Sequence, residues 1–195
     1  MNIEIRKLTP DLAEDYVRFF DVTPHNQKWN VKCYCVFWSN DDSEGKDFSS
    51  PEKWREFALQ YVRNGNLQGY LAYYNDRVVG WCNANTRSDC LKCAGWRHLK
   101  DSIPIEESAP EIKIKSIFCF TVSPDMQRKG VASRLLTRVC QDAANDGFDF
   151  VEAYPEKEIT AESEDFRGYV DMYKKIGFTI YHKTNEKLVM RKPLK

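Results

Sequence analysis

No stretch of this chain is apolar for long enough to cross a bilayer, and the opening MNIEIRKLTP has no signal-peptide core. A membrane-spanning or exported protein is therefore not expected, and a cytoplasmic one is. An excess of charge of one sign is missing too, because 29 basic residues stand against 29 acidic ones. That balance argues against a general nucleic-acid binder and against a polybasic membrane protein. Neither G-x-x-x-x-G-K-[ST] nor G-x-G-x-x-G occurs, so the two commonest nucleotide fingerprints are excluded. No internal repeat or low-complexity segment is present. The 195 residues suit one domain spanning 1–195 with a substantial core.

Cysteine, by contrast, is plentiful. Seven is an odd number in a chain with no export signal, which favours reduced thiols over a disulfide framework. Cys33-x-Cys35 and Cys90-x-x-Cys93 have the ligand types of a structural zinc site. The first pair lies in the aromatic run KCYCVFW, however, and on a strand its two thiols share one face and pack. Inert thiols and no metal are expected.

The most informative stretch runs from Lys113 to Ala144. Ile114–Val122 is dense in β-branched and aromatic residues and predicts a buried strand. Ser123-Pro124-Asp125 ends it, since proline cannot extend a ladder. From Val131 the apolar residues recur at Leu135, Leu136, Val139, Cys140 and Ala143, a helical spacing that Asn145-Asp146-Gly147 stops. Between strand and helix lies Gln127-Arg128-Lys129-Gly130-Val131-Ala132-Ser133. The first amides of a helix have no partner inside it and carry a partial positive charge. Gly130 lets an anion approach, Ala132 keeps the first turn low, and Arg128 and Lys129 add full charges. Such a turn suits a pyrophosphate; taken alone, it is equally an ordinary helix start with solvated basic residues.

Elsewhere the pattern predicts a strand over 2–6, helices opened by Thr9-Pro10 and Ser50-Pro51, and strands over 69–74 and 77–85 joined at Asn75-Asp76. Residues 29–38 form either a strand or a pocket wall. Residues 86–112, with Cys90, Cys93, Trp96, Arg97, His98, Glu106 and Glu107, form the longest irregular stretch and a possible lid over substrate. A strand over 148–154 lies parallel to the central one, because a helix crosses between them. A polar loop over 156–164 precedes a helix over 166–176 that puts Tyr169, Met172, Tyr173 and Ile176 on one face. A hairpin over 178–183 and 187–192 closes the chain.

Val122-x-Pro124-Asp125-x-Gln127-x-x-Gly130-x-Ala132 resembles the acyl-CoA-binding motif of the GNAT superfamily of N-acetyltransferases, Q/R-x-x-G-x-G/A. Met172-Tyr173-Lys174-Lys175-Ile176-Gly177-Phe178 resembles that superfamily's Y-x-x-x-G-F segment. The two motifs stand in the expected order with a strand between them. Gln127 and Ala132 are the less common choices at their positions. The resemblance implies an α/β fold: a mixed, mostly antiparallel sheet with flanking helices and a splayed parallel strand pair. It also implies acetyl-CoA as cofactor, with Phe120, Thr121 and Val122 along the pantetheine arm and Gln127 to Ser133 around the pyrophosphate. Tyr173 is then the acid for the departing thiolate, or else a packing residue of its helix. Cys119 is expected to be inert core rather than a nucleophile. Glu152, Glu111 or a water chain can serve as base. The expected partners are acetyl-CoA and an amine, small-molecule or protein, with no nucleic acid, no membrane, and a monomer or homodimer. Trp29, Tyr34, Trp38, Trp81 and Trp96 line a cationic pocket or belong to the core, and Arg87 and Arg97 are candidates for recognising a carboxylate. A non-catalytic acyl-CoA-binding module is the rival function.

Overall fold

The structure, a computed structural model, describes residues 1–24, 32–41, 45–102, 111–158, 165–184 and 187–195. The strands are β1 (Glu4–Lys7), β2 (Gly69–Tyr74), β3 (Arg77–Thr86), β4 (Ile114–Val122), β5 (Phe150–Ala153), β6 (Thr179–Lys183) and β7 (Leu188–Pro193). They form one sheet of order β1-β2-β3-β4-β5-β7-β6, in which only β4 and β5 run parallel. The helices are α1 (Ala13–Val22), α2 (Pro51–Arg63), α3 (Ala94–Ser102), α4 (Val131–Asn145) and α5 (Val170–Lys175).

Local sequence explains most of these boundaries. The β2–β3 hairpin turns on Asn75 and Asp76, at φ 49° and 57°, the left-handed conformation that these short polar residues tolerate best after glycine. Ser50 caps α2 by accepting from the Lys53 amide at 3.4 Å, with Pro51 in the first turn. Pro10 opens a short 3-10 turn, Pro10–Leu12, which leads into α1; the Thr9 side chain makes no cap bond.

Each face of the sheet carries a core. On one side α4 lays Val131, Leu135, Leu136, Val139 and Ala143 against Ile117, Phe120 and Val151. On the other, α1 and α2 cover Leu71, Trp81 and Phe118, joined by Tyr34, Val36 and Trp38.

Three expectations need correction. Residues 86–112 are not irregular throughout: a 3-10 turn, Arg87–Cys90, and α3 occupy much of the stretch, while Glu106 and Glu107 lie outside the described residues. The helix over 166–176 is two pieces, a 3-10 turn Asp165–Arg167 and α5, because Gly168 takes φ 78° between them. Tyr169 consequently precedes α5 and is exposed rather than on its buried face. Finally, Cys33 and Cys35 do not share a strand face, since Tyr34 and Cys35 both adopt left-handed φ and turn the chain into a 3-10 turn, Val36–Trp38.

Candidate active site

β4 changes character half-way along. From Ile114 to Ile117 it is paired on both sides, with β5 through Ile114↔Phe150 to Ile117↔Ala153 and with β3. Beyond Ile117 only β3 remains, pairing Asn83↔Cys119 through Gly80↔Val122. The register slips between Asn83 and Ala84, leaving Phe118 as an extra residue on β4. Such a bulge bends its strand and increases twist. It also puts the successive Phe118 and Cys119 on the same face, toward α1 and α2, while Ile117 and Phe120 face α4. Among the described residues no strand pairs with the β5-side edge of 118–122. That edge has no strand ladder to take up its backbone donors and acceptors, although the 3-10 turn Asp165–Arg167 packs against β4. Thr121 adds another, since its buried Oγ1 has no hydrogen-bond partner among the described residues.

The chain leaves this open edge through a 3-10 turn, Pro124–Met126, and reaches the start of α4. Gln127, Arg128, Lys129 and Gly130 are exposed there, while Val131 is buried and Ala132 and Ser133 are half-buried. The Gln127 side chain reaches back to donate to the Val122 carbonyl at 3.5 Å. Arg128 and Gly130 take φ 59° and 80°. A Cβ on Gly130 would meet nothing within 4 Å, so open space lies over the turn. The first helical bond of α4 is given by Arg134 to Gly130 at 3.1 Å, leaving the amides of Val131, Ala132 and Ser133 ahead of it. The unpaired edge, the orphan hydroxyl and the open basic turn follow one another within residues 118–133. They fit a ligand with a peptide-like arm and an anionic end.

Tyr173, from α5, is fully buried on the α4 face against Phe120 and Phe178, with ring centroids 6.4 and 5.3 Å away. Its hydroxyl donates to the Arg167 carbonyl at 2.7 Å. Burial pushes the phenol well above its ordinary range, so it holds its proton at neutral pH. The sequence-predicted residues 120–122, 127–133 and 173 thus lie around one end of β4.

A cavity of about 390 Å³ opens on the opposite face of β4. Cys35 and Cys119 form part of its lining, with Sγ atoms 2.9 Å apart, and Trp81 Nε1 lies 3.3 Å from Cys35 Sγ. Phe37, Trp38 and Phe166 contribute apolar rings, and Ala94 and Gly95 close it from α3. The wall that carries Trp38 is fastened at several points. Tyr16 donates to the Tyr34 carbonyl at 2.7 Å, and the Cys90 and Cys93 thiols approach the Trp38 carbonyl at 3.8 and 3.4 Å.

A family model described as the acetyltransferase (GNAT) family matches residues 31–178. The chain belongs to this family. Among curated proteins none matches it in sequence. Solved structures share its fold at low identity. The PaiA N-acetyltransferase from Thermoplasma acidophilum, in complex with coenzyme A, is 17% identical over 99% of both chains with a TM-score of 0.56. YncA from Salmonella typhimurium, with its cofactor acetyl-CoA, is 15% identical over 99% of this chain and 94% of its own, TM-score 0.52. An acetyltransferase of the family from Streptococcus pneumoniae is 17% identical over the whole of both chains, TM-score 0.54.

In this GNAT chain several side chains stand elsewhere than expected. Glu152 is not on a solvated face but fully buried on β5. It accepts from Arg87 Nη1 at 3.2 Å, Arg191 Nε at 2.7 Å and Tyr154 Oη at 3.0 Å, and Ser116 completes the network with Tyr154 at 2.8 Å. Its oxygens are taken up by these donors within the core, and Arg87 recognises a carboxylate within its own chain. Trp81, Trp96 and Tyr34 are core residues; only Trp38 of the aromatic set lines the cavity, and Trp29 lies outside the described residues. Trp38 is itself stacked on Phe118, centroids 4.1 Å apart, and Gly95 crowds its ring, so it offers no open face for a cation. The two cysteine pairs diverge, one toward Cys119 and the other toward Trp38. No group of three or more possible metal ligands occurs among the described residues.

Proposed function

We propose that this protein transfers the acetyl group of acetyl-CoA to a primary amine. The observation that carries the proposal is the half-paired β4, whose free edge runs into the open Gly130 turn. Acetyl-CoA supplies an activated thioester. Arg128, Lys129 and the amides from Gly130 to Ser133 hold its pyrophosphate, with Gln127 bracing the turn against Val122. Backbone groups of Phe120, Thr121 and Val122 pair with the pantetheine arm and offer an N–H to the carbonyl oxygen where negative charge develops. The amine nitrogen forms a bond to the carbonyl carbon as the carbon–sulfur bond breaks. Tyr173 would then give its proton to the leaving sulfur, which requires its O–H to turn away from the Arg167 carbonyl, and would regain a proton from solvent before the next turnover. With Glu152 held by two arginines, the ammonium proton lost before attack and the N–H proton lost after it both leave to solvent. No described helix is long and apolar enough to cross a membrane.

The test is thiol release from acetyl-CoA in the presence of primary amines, with the acetylated product identified by mass. Amine-dependent release supports the transferase. Binding of CoA without release for any amine would leave a non-catalytic acyl-CoA-binding module instead.

A further inference from the structure

The cavity on the α1–α2 face of β4 has a chemistry of its own. Its Cys119 wall stands on the unpaired half of β4, one residue from the stretch assigned to the pantetheine arm, so a molecule in the cavity lies beside the thioester position. We propose that the cavity selects the acceptor, and that the acceptor is a small primary amine with one positive charge and an apolar, aromatic-sized body. This rests on the transferase function proposed above.

The lining decides against the alternatives. Apart from the Arg167 guanidinium, its described side chains are thiols, aromatic rings and small residues, with no carboxylate among them. Burial pushes the Cys35 and Cys119 thiols upward, so they stay neutral and behave as small apolar groups. Arg167, the charged side chain of the described lining, is a cation, and it lies 3.5 Å from Glu156. The second ammonium of a polyamine would lose its hydration there and meet like charge. A peptide would bury amide groups against thiols and rings that cannot pair them. An apolar body, in contrast, is welcome against Phe37 and Phe166.

The same lining supplies a reason why a dedicated base is dispensable. Moving an ammonium into an apolar cavity disfavours its charged form, so the acceptor loses its proton more readily on entry. A singly charged amine makes that loss once and becomes neutral. A polyamine retains a second charge that the cavity cannot solvate.

A panel of acceptors at fixed acetyl-CoA tests the proposal: 2-phenylethylamine, spermidine, and a short peptide with a free N-terminus and a lysine. The value of kcat/KM for 2-phenylethylamine should exceed that for spermidine and for the peptide by at least about tenfold, the scale of burying a ring-sized apolar group. Ala94→Leu, which fills the cavity from α3, should raise KM for 2-phenylethylamine at least about tenfold while the rise in melting temperature with CoA stays as in the wild type. A preference for spermidine or the peptide would overturn the acceptor class and leave the transferase intact. A folded Ala94→Leu protein with unchanged KM would remove the cavity from acceptor binding. Should Ala94→Leu fail to fold, the wild-type panel alone decides the class. Bound CoA with no product from any amine would defeat the transferase function and the acceptor class together.

Discussion

The two halves of β4 make opposite use of the same strand. From Ile114 to Ile117 it is a central strand with partners on both sides. Behind it Ser116, Glu152, Tyr154, Arg87 and Arg191 saturate one another in a buried polar network. From Phe118 to Val122 one edge has no strand partner and a hydroxyl no hydrogen-bond partner among the described residues, and a cavity opens on one face while Tyr173 packs on the other. The closed half is satisfied by its own neighbours, whereas in the open half Thr121 Oγ1 has no hydrogen-bond partner among the described residues.

The largest effect is expected from breaking the closed half. Glu152→Ala would leave Arg87 and Arg191 facing each other in the core without their carboxylate, a change that costs about 3–5 kcal/mol in comparable buried pairs. For a chain of this size that lowers the melting temperature by on the order of 10 °C. A thermal melt checks it, and a drop of only a degree or two would mean that water or rearranged partners replace the carboxylate.

Next comes Tyr173, proposed as the proton donor beside the open half. Tyr173→Phe should reduce turnover by roughly a hundredfold, the scale of losing a positioned acid. Stability should fall by about 1–3 kcal/mol, since the Arg167 carbonyl loses its donor in a buried setting. Steady-state kinetics beside a denaturant melt separates the two effects. A loss of stability with unchanged turnover would return Tyr173 to a packing role and leave the sulfur to be protonated by solvent.

A third effect, read in the pH dependence of stability, belongs to Lys115, on the closed half. Burial, with Lys7 nearby, lowers its ammonium to about 8, and Nζ lies 4.5 Å from the Phe148 ring centroid. Unfolding returns the group to about 10.4. Between those values the unfolded chain binds the extra proton, so Lys115 makes stability rise as pH increases from about 8 to about 10. Lys115→Met should remove that rise. Urea melts at several pH values, compared between the two proteins, would show it, and parallel profiles would contradict it.

Much of this contrast can be read in the sequence. The central strand, the proline break, the Gly130 turn and α4 follow from residue types alone, and the sheet's family from two spaced motifs. The split at Gly168 is harder to see, because a glycine inside a helical pattern is often tolerated. The bulge at Phe118 leaves no trace, since adjacent apolar residues suit a straight buried strand equally well. Glu152 was legible in principle. A strand parallel to the central one is covered on both faces, so its lone glutamate has to be buried and paired. Its arginine partners come from positions 87 and 191, far apart in the chain, and only the folded sheet brings them together. The cavity likewise depends on the left-handed turn at Tyr34 and Cys35, which residue propensity does not favour.

The open half is tested most directly by titrating CoA against the wild type and Gly130→Glu while following the melting temperature. For the wild type the melting temperature should climb with CoA, by an amount corresponding to about 2.7 kcal/mol at a hundred times Kd. Gly130→Glu places a carboxylate in the open space over the turn and should show no climb, whatever its melting temperature without ligand. A folded Gly130→Glu protein that is stabilised by CoA as strongly as the wild type would contradict the assignment of the anion site to this turn.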